Sequence, residues 1–132
     1  MKQKIKILVV DDEEVNQMFL QYFLAKKFEV YTCGSLSNYY NLIQAHQFDL
    51  VLMDILLNEK KDGLDLLKEL RLMPKYRNTP VFILTSNNNS KTRTDAEDAG
   101  ANQFLSKPVD GRLLVNIVDQ YIQQNSGMST GN

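Results

Sequence analysis

Two acidic residues, Asp11 and Asp12, close the apolar run Ile7-Leu8-Val9-Val10, and a third, Asp54, closes the run Leu50-Val51-Leu52-Met53. Short aliphatic and β-branched runs that stop at carboxylates predict buried parallel strands whose C-terminal ends open into a site. Two such strands in one small α/β domain bring the three carboxylates close together. Carboxylates repel one another, so a clustered set is stable only with a cation or with protons. Ligands that are all oxygen favour a hard ion such as magnesium. Thr85, Ser86 and Lys107 also stand at the ends of apolar runs. They add hydroxyls and a fixed positive charge to the same rim.

The elements that must carry these residues alternate along the chain. Strands are predicted at 5–10, 28–32, 49–54, 80–85 and 102–106. Amphipathic segments lie between them, at 14–27, 37–46, 63–72, 91–99 and 111–123. In the first, Val15, Met18, Phe19, Tyr22 and Phe23 fall on one helical face. In the last, Leu114, Ile117, Val118, Tyr121 and Ile122 do the same. Ser90 and Asp110 are candidate N-caps, and Gly100 is a candidate C-cap. Strand and helix alternating throughout argue for a parallel sheet with helices on both faces. Ligands of such sheets bind beyond the carboxyl ends of the strands, where the strand order reverses.

Composition sets the outer bounds. A chain of 132 residues with 43% hydrophobic and 23% charged residues fits one globular domain with a full core. A net charge of −1 implies no general attraction to nucleic acid. The single cysteine, Cys33, makes no internal disulfide and points to a reducing compartment, so a cytoplasmic setting is expected. The N-terminus is too polar for a signal peptide, and no apolar stretch approaches the roughly 20 residues a membrane helix needs. The segment 124–132 is polar and glycine-bearing and reads as a disordered tail or linker stub, leaving 1–123 as the domain. Tyr39, Tyr40, Phe48 and the methionines read as packing residues, and His46 as a surface residue with no ligand-spaced partner.

Taken in order, the strand-end residues resemble the receiver domain of two-component response regulators over about residues 5–123. The match is carried by Asp11-Asp12, Asp54, Thr85 and Lys107-Pro108, with Asp62-Gly63 shortly after Asp54. The resemblance implies a five-stranded, doubly wound, flavodoxin-like fold with strand order 2-1-3-4-5. It implies that Asp54 accepts a phosphoryl group from a histidine kinase or a histidine phosphotransfer protein. Magnesium, with manganese as a substitute, would be held by Asp11, Asp12, Asp54 and the backbone carbonyl of Leu56. Lys107 would meet a phosphoryl oxygen, and the bond before Pro108 would be cis. Thr85 would donate its hydroxyl to the phosphoryl group and, by moving, free space for Phe104 to swing inward. The face built from the fourth helix, fifth strand and fifth helix would then bind a downstream protein or a second copy. Such a domain is a signalling switch that assists its own phosphotransfer and dephosphorylation, with no direct contact to nucleic acid or membrane.

Two departures from the family pattern stand out. The loop after Asp54 looks about one residue longer and carries Asn58 where proline is usual, and Ser86 follows Thr85 where alanine is common. Glu13 and Glu14 read as acidic residues favoured at a helix N-terminus. Four other readings meet the same residues. A flavodoxin-like redox domain needs a phosphate-cradling loop after the first strand, where this chain has Asp-Asp-Glu-Glu. A phosphohydrolase of the haloacid dehalogenase type needs a second aspartate at the position of Leu56. A receiver-like interaction module working without phosphorylation would lack one of the five site residues, and all are present. The receiver portion of a hybrid histidine kinase stays open.

Overall fold

The computed structural model of the chain describes residues 4–129. Five strands are present: β1 (Lys6–Val10), β2 (Glu29–Cys33), β3 (Leu50–Asp54), β4 (Val81–Thr85) and β5 (Gln103–Ser106). The helices between and after them are α1 (Glu14–Leu24), α2 (Leu36–Ala45), α3 (Gly63–Leu72), α4 (Ser90–Ala99) and α5 (Gly111–Ser129). All strands run parallel in the order β2-β1-β3-β4-β5. Strand positions agree with the sequence reading to within a residue. The three inner strands carry the near-continuous aliphatic runs, and the edge strands β2 and β5 are only partly buried.

Alternation along each inner strand divides the core into two layers. Ile7, Val9, Leu50, Leu52, Phe82 and Leu84 pack with Leu20 and Leu24 of α1 and Leu114 and Val118 of α5. Leu8, Val10, Val51, Met53, Val81 and Ile83 pack with Tyr39 and Ile43 of α2, Leu66, Leu67 and Leu70 of α3, and Ala96 and Ala99 of α4. Helices therefore cover both faces, as the doubly wound reading requires. Cys33 lies inside the second layer, where burial pushes its thiol up to about 12, too high for a nucleophile at neutral pH.

The helices correct several expectations. The stripe on α1 does not face the sheet: Val15 is 80% exposed, Met18 68% and Tyr22 63%, while Leu20 and Leu24 are buried. Leu20 and Leu24 form a second apolar row at helical spacing, and that row joins the core layer of Ile7, Val9, Leu50 and Leu52. The cap of α4 is Asn89 rather than Ser90, with the Asn89 side chain accepting from the N–H of Thr92 at 2.8 Å. Asp110 caps α5 as expected, accepting from Arg112 and Leu113. Gly100 ends α4 in the left-handed region at φ 106°, a backbone state that favours glycine. Helix α5 runs on to Ser129 instead of ending at 123; a residue such as Gly127 costs a helix only about 1 kcal/mol and does not stop it. Residues 130–132 of the expected tail lie outside the described residues. His46 is half-buried rather than a plain surface residue, its ring packed on Tyr31 and Phe48. Among the methionines, Met53 is core and Met18 is exposed.

Candidate functional site

The site forms where strand order reverses, at the C-terminal ends of β1 and β3. Their pairing sets Val10 beside Met53, so the residues that follow, Asp11 and Asp54, come together. A carboxylate oxygen from each of Asp11, Asp12 and Asp54 lies within 4.8 Å of the others. Asp11 and Asp54 are buried, with relative exposures of 2% and 7%, and Asp12 is half-buried. Anionic oxygens this close and this dry demand positive charge nearby.

Lys107 supplies part of it. The loop after β5 carries its Nζ between two carboxylates, donating to Asp11 Oδ2 at 2.8 Å and to Asp54 Oδ2 at 2.9 Å. The peptide bond from Lys107 to Pro108 is cis, as the resemblance implied. Burial lowers the pKa of the Lys107 ammonium, but its hydrogen bonds to Asp11 and Asp54 outweigh burial and leave the pKa raised. For Asp54, burial raises the pKa, the Lys107 hydrogen bond and charge oppose it, and the Asp11 charge adds to it; the net direction is upward. Burial and the Asp11 charge thus favour the neutral form of Asp54, and Lys107 opposes them.

The remaining donors fix the carboxylates. Asp54 Oδ1 accepts from the Leu56 N–H at 3.2 Å, and Asp11 Oδ1 accepts from the Glu13 N–H at 2.9 Å. Asn16 Nδ2 donates to Asp11 Oδ2 at 3.0 Å, and the Asn58 N–H donates to Asp12 Oδ2 at 3.2 Å. A cleft of about 650 Å³ opens over the cluster, lined by Asp12, Glu13, Asn16, Asp54, Leu56, Asn58, Ser86, Lys107 and Pro108. It leaves room for a phosphoryl group against Asp54. The donor set, three carboxylates, fits a hard divalent ion better than a soft one.

Thr85 ends β4 fully buried, and its Oγ1 accepts from the Asn87 N–H at 3.1 Å. By alternation it continues the row of Val81 and Ile83. Phe104, half-buried on β5, packs against that same layer and sits in register with Ile83. The Arg93 guanidinium of α4 lies over the Phe104 ring, 5.4 Å from its centroid. Asn88 Nδ2 of the β4–α4 loop donates to Ser106 Oγ at 2.9 Å. Thr85 and Phe104 therefore share one layer, joined by the β4–β5 pairing.

Of the strand-end residues singled out in the sequence, Asp11, Asp12, Asp54 and Lys107 come together and Ser86 lines the cleft, whereas Thr85 is buried at the end of β4 and does not line it. Asn16 and the Asn58 N–H are additional. Asn16 carried a usable signal, since it sits in the first turn of the helix that follows Asp11 and Asp12. The Asn58 amide carried none of its own, because its role depends on how the loop after Asp54 folds back.

With the geometry in place, comparisons with known proteins agree. The chain belongs to the response regulator receiver domain family, which it matches over residues 7–119. It is 27% identical over 111 residues to the transcriptional regulatory protein SrrA of Staphylococcus aureus, covering 83% of this chain and 44% of SrrA. The chain thus spans less than half the length of such curated relatives. A putative response regulator from Chloroflexus aurantiacus superposes with a TM-score of 0.82 at 28% identity, covering 89% of this chain and 97% of that one. A CheY-like receiver domain protein from Methanospirillum hungatei superposes with a TM-score of 0.86 at 21% identity, over 96% and 99% of the two chains. The family is a signalling switch of two-component systems. Among the described residues, no helix is long and apolar enough to cross a membrane.

Proposed function

We propose that Asp54 is the phosphoacceptor of this receiver domain and that a histidine kinase or histidine phosphotransfer protein is the donor. The observation that carries this is Lys107 Nζ, held between Asp54 and Asp11 beneath an open cleft. A buried carboxylate with a fixed cation beside it and free space before it is arranged for in-line attack.

An Asp54 carboxylate oxygen attacks phosphorus, a P–O bond forms, and the P–N bond to the donor imidazole breaks. The departing imidazole takes up a proton. Lys107 stays within reach of an equatorial phosphoryl oxygen, and the Thr85 hydroxyl can donate to another once it turns from the Asn87 N–H. Asp11, Asp12, Asp54 and the Leu56 carbonyl are the groups that would hold magnesium, or manganese in its place. That ion would neutralise the acidic cluster and the charge on the transferring group. Displacement of Thr85 makes room for Phe104 to move inward, which changes the α4–β5–α5 face for a downstream protein or a second copy. The setting proposed is the cytoplasm.

The test is labelling by a small phosphodonor such as acetyl phosphate. The wild type is expected to be labelled only with a divalent cation present, and Asp54→Asn is expected to carry no label. Labelling of Asp54→Asn at the wild-type level would overturn the assignment.

A further inference from the structure

We propose that two neutral donors of this chain, the Asn16 side-chain amide and the Asn58 backbone N–H, are positioning groups that hold Asp11 and Asp12 ready for the divalent cation, one donor to each carboxylate. This rests on the metal-binding reading of the acidic cluster given above.

The two carboxylates are fixed to different degrees: the Glu13 N–H holds Asp11 Oδ1 at 2.9 Å, so Asn16 acts on the other oxygen of Asp11, Oδ2. Asp12 is half-buried, and its Oδ2 accepts from the Asn58 N–H at 3.2 Å. Asp11 is buried, and its Oδ2 is shared by Asn16 Nδ2 at 3.0 Å and Lys107 Nζ at 2.8 Å. Lys107 is the donor that phosphate would draw away, because it is the cation nearest Asp54. Asn16 then remains as the side-chain donor that keeps Asp11 in place.

The neutrality of both donors matters. A carboxamide or peptide N–H orients a carboxylate while leaving its charge to attract the metal. A second lysine or arginine in either place would compete with the ion. Groups one step removed from a metal often set its affinity in this way.

Asn58 makes the contribution particular to this chain. The usual residue at this place is proline, which has no N–H to donate. Here the β3–α3 loop gains a donor and directs it at a carboxylate of the opposite strand end. The loop is braced for this at its far side. Lys61 pairs with Glu69 and Tyr40, and the Gly63 N–H donates to the Ile55 carbonyl at 2.8 Å.

Direct binding of manganese, followed by the free-ion paramagnetic resonance signal, tests this without reference to phosphotransfer. Asn16→Ala and the near-isosteric Asn16→Leu are expected to weaken manganese binding on the order of tenfold, and Asn58→Pro to do likewise. Asn58→Ala keeps the peptide N–H and is the conservative variant expected to retain affinity. Thermal unfolding without metal checks that each variant folds, and the two Asn16 variants serve if the proline variant does not. Wild-type affinity in both Asn16 variants, or equal loss in Asn58→Ala and Asn58→Pro, would overturn the inference while the metal reading stands. No manganese binding by the wild type would overturn both.

Discussion

At the scale of single residues, Asp54 illustrates how a site is held against the stability of its own fold. Burial raises its pKa, Lys107 pulls it back and Asp11 pushes it further up, with a net rise. A carboxyl whose folded pKa exceeds its unfolded value binds its proton more tightly when folded. Its favourable contribution is full below the unfolded pKa and is lost as pH rises through the folded one. At neutral pH the charged Asp54 therefore works against the metal-free fold. Asp54→Asn is expected to stabilise that state by about 1 kcal/mol at neutral pH, within the usual span of stabilising substitutions. The gain should vanish below the ordinary carboxylate range, where Asp54 is itself neutral. Urea midpoints across pH, without divalent ions, measure this; identical midpoints at neutral pH would contradict it. The residues at strand ends were legible in the sequence because each interrupts an apolar run with a charge or hydroxyl. The Asn58 N–H was not, because a backbone amide has no side-chain signal and its role depends on how the loop after Asp54 folds back.

At the scale of elements, strands were read more securely than helix faces. A fully buried strand such as β3 or β4 has one solution, an apolar run bounded by polar residues. Helix α1 has two apolar rows, Val15-Met18-Phe19-Tyr22-Phe23, of which only Phe23 at its end is half-buried, and Leu20-Leu24, and periodicity alone does not say which row meets the sheet. The longer row is the exposed one. Helix α4 was faint for the opposite reason: it buries only Ala96 and Ala99, whose small side chains leave little pattern. Close packing also fixes element boundaries. Gly63 opens α3 directly against the backbone of β3, where an added Cβ would overlap the Asp54 carbonyl oxygen. Asp62 and Asp65 form a reciprocal capping box at the same point, so the helix start has little freedom to retreat. Gly63→Ala is expected to cost about 1–3 kcal/mol, as overpacking commonly does. It should also slow labelling by acetyl phosphate, because the displaced carbonyl belongs to the phosphoacceptor itself. Denaturant unfolding with a parallel labelling rate tests both; an unchanged midpoint would show that the loop relaxes freely.

At the scale of the whole molecule, the question is how charge added at one rim reaches a distant face. The two core layers offer unequal routes. Asp54 falls in the row of Leu50 and Leu52, facing α1 and α5, whereas Thr85 falls in the row of Val81 and Ile83, facing α4. Phosphoryl capture by the Thr85 hydroxyl would therefore pull on the second layer, where Phe104 lies. Three contacts hold the resting arrangement there: the Asn87 N–H on Thr85 Oγ1, Asn88 on Ser106, and Arg93 over Phe104. Each is a single polar or cation–π contact, and such contacts are worth roughly 0.5–1.5 kcal/mol apiece. Together they are weak enough for one phosphoryl group to reverse and strong enough to bias the free state. The layer under α1 is held differently: Leu20 and Leu24 are buried in it, and the polar contact of this helix end with α5, Lys27 to Asp119 at 2.8 Å, lies on the exposed side, away from Thr85 and Phe104. Amide exchange is therefore expected to change over 86–106 and the first turns of α5 when beryllofluoride and magnesium occupy the site, with α1 changing less. A uniform rise in protection, equal in α1 and α4, would mean that the ligand tightens the whole fold and that the second layer is not the route.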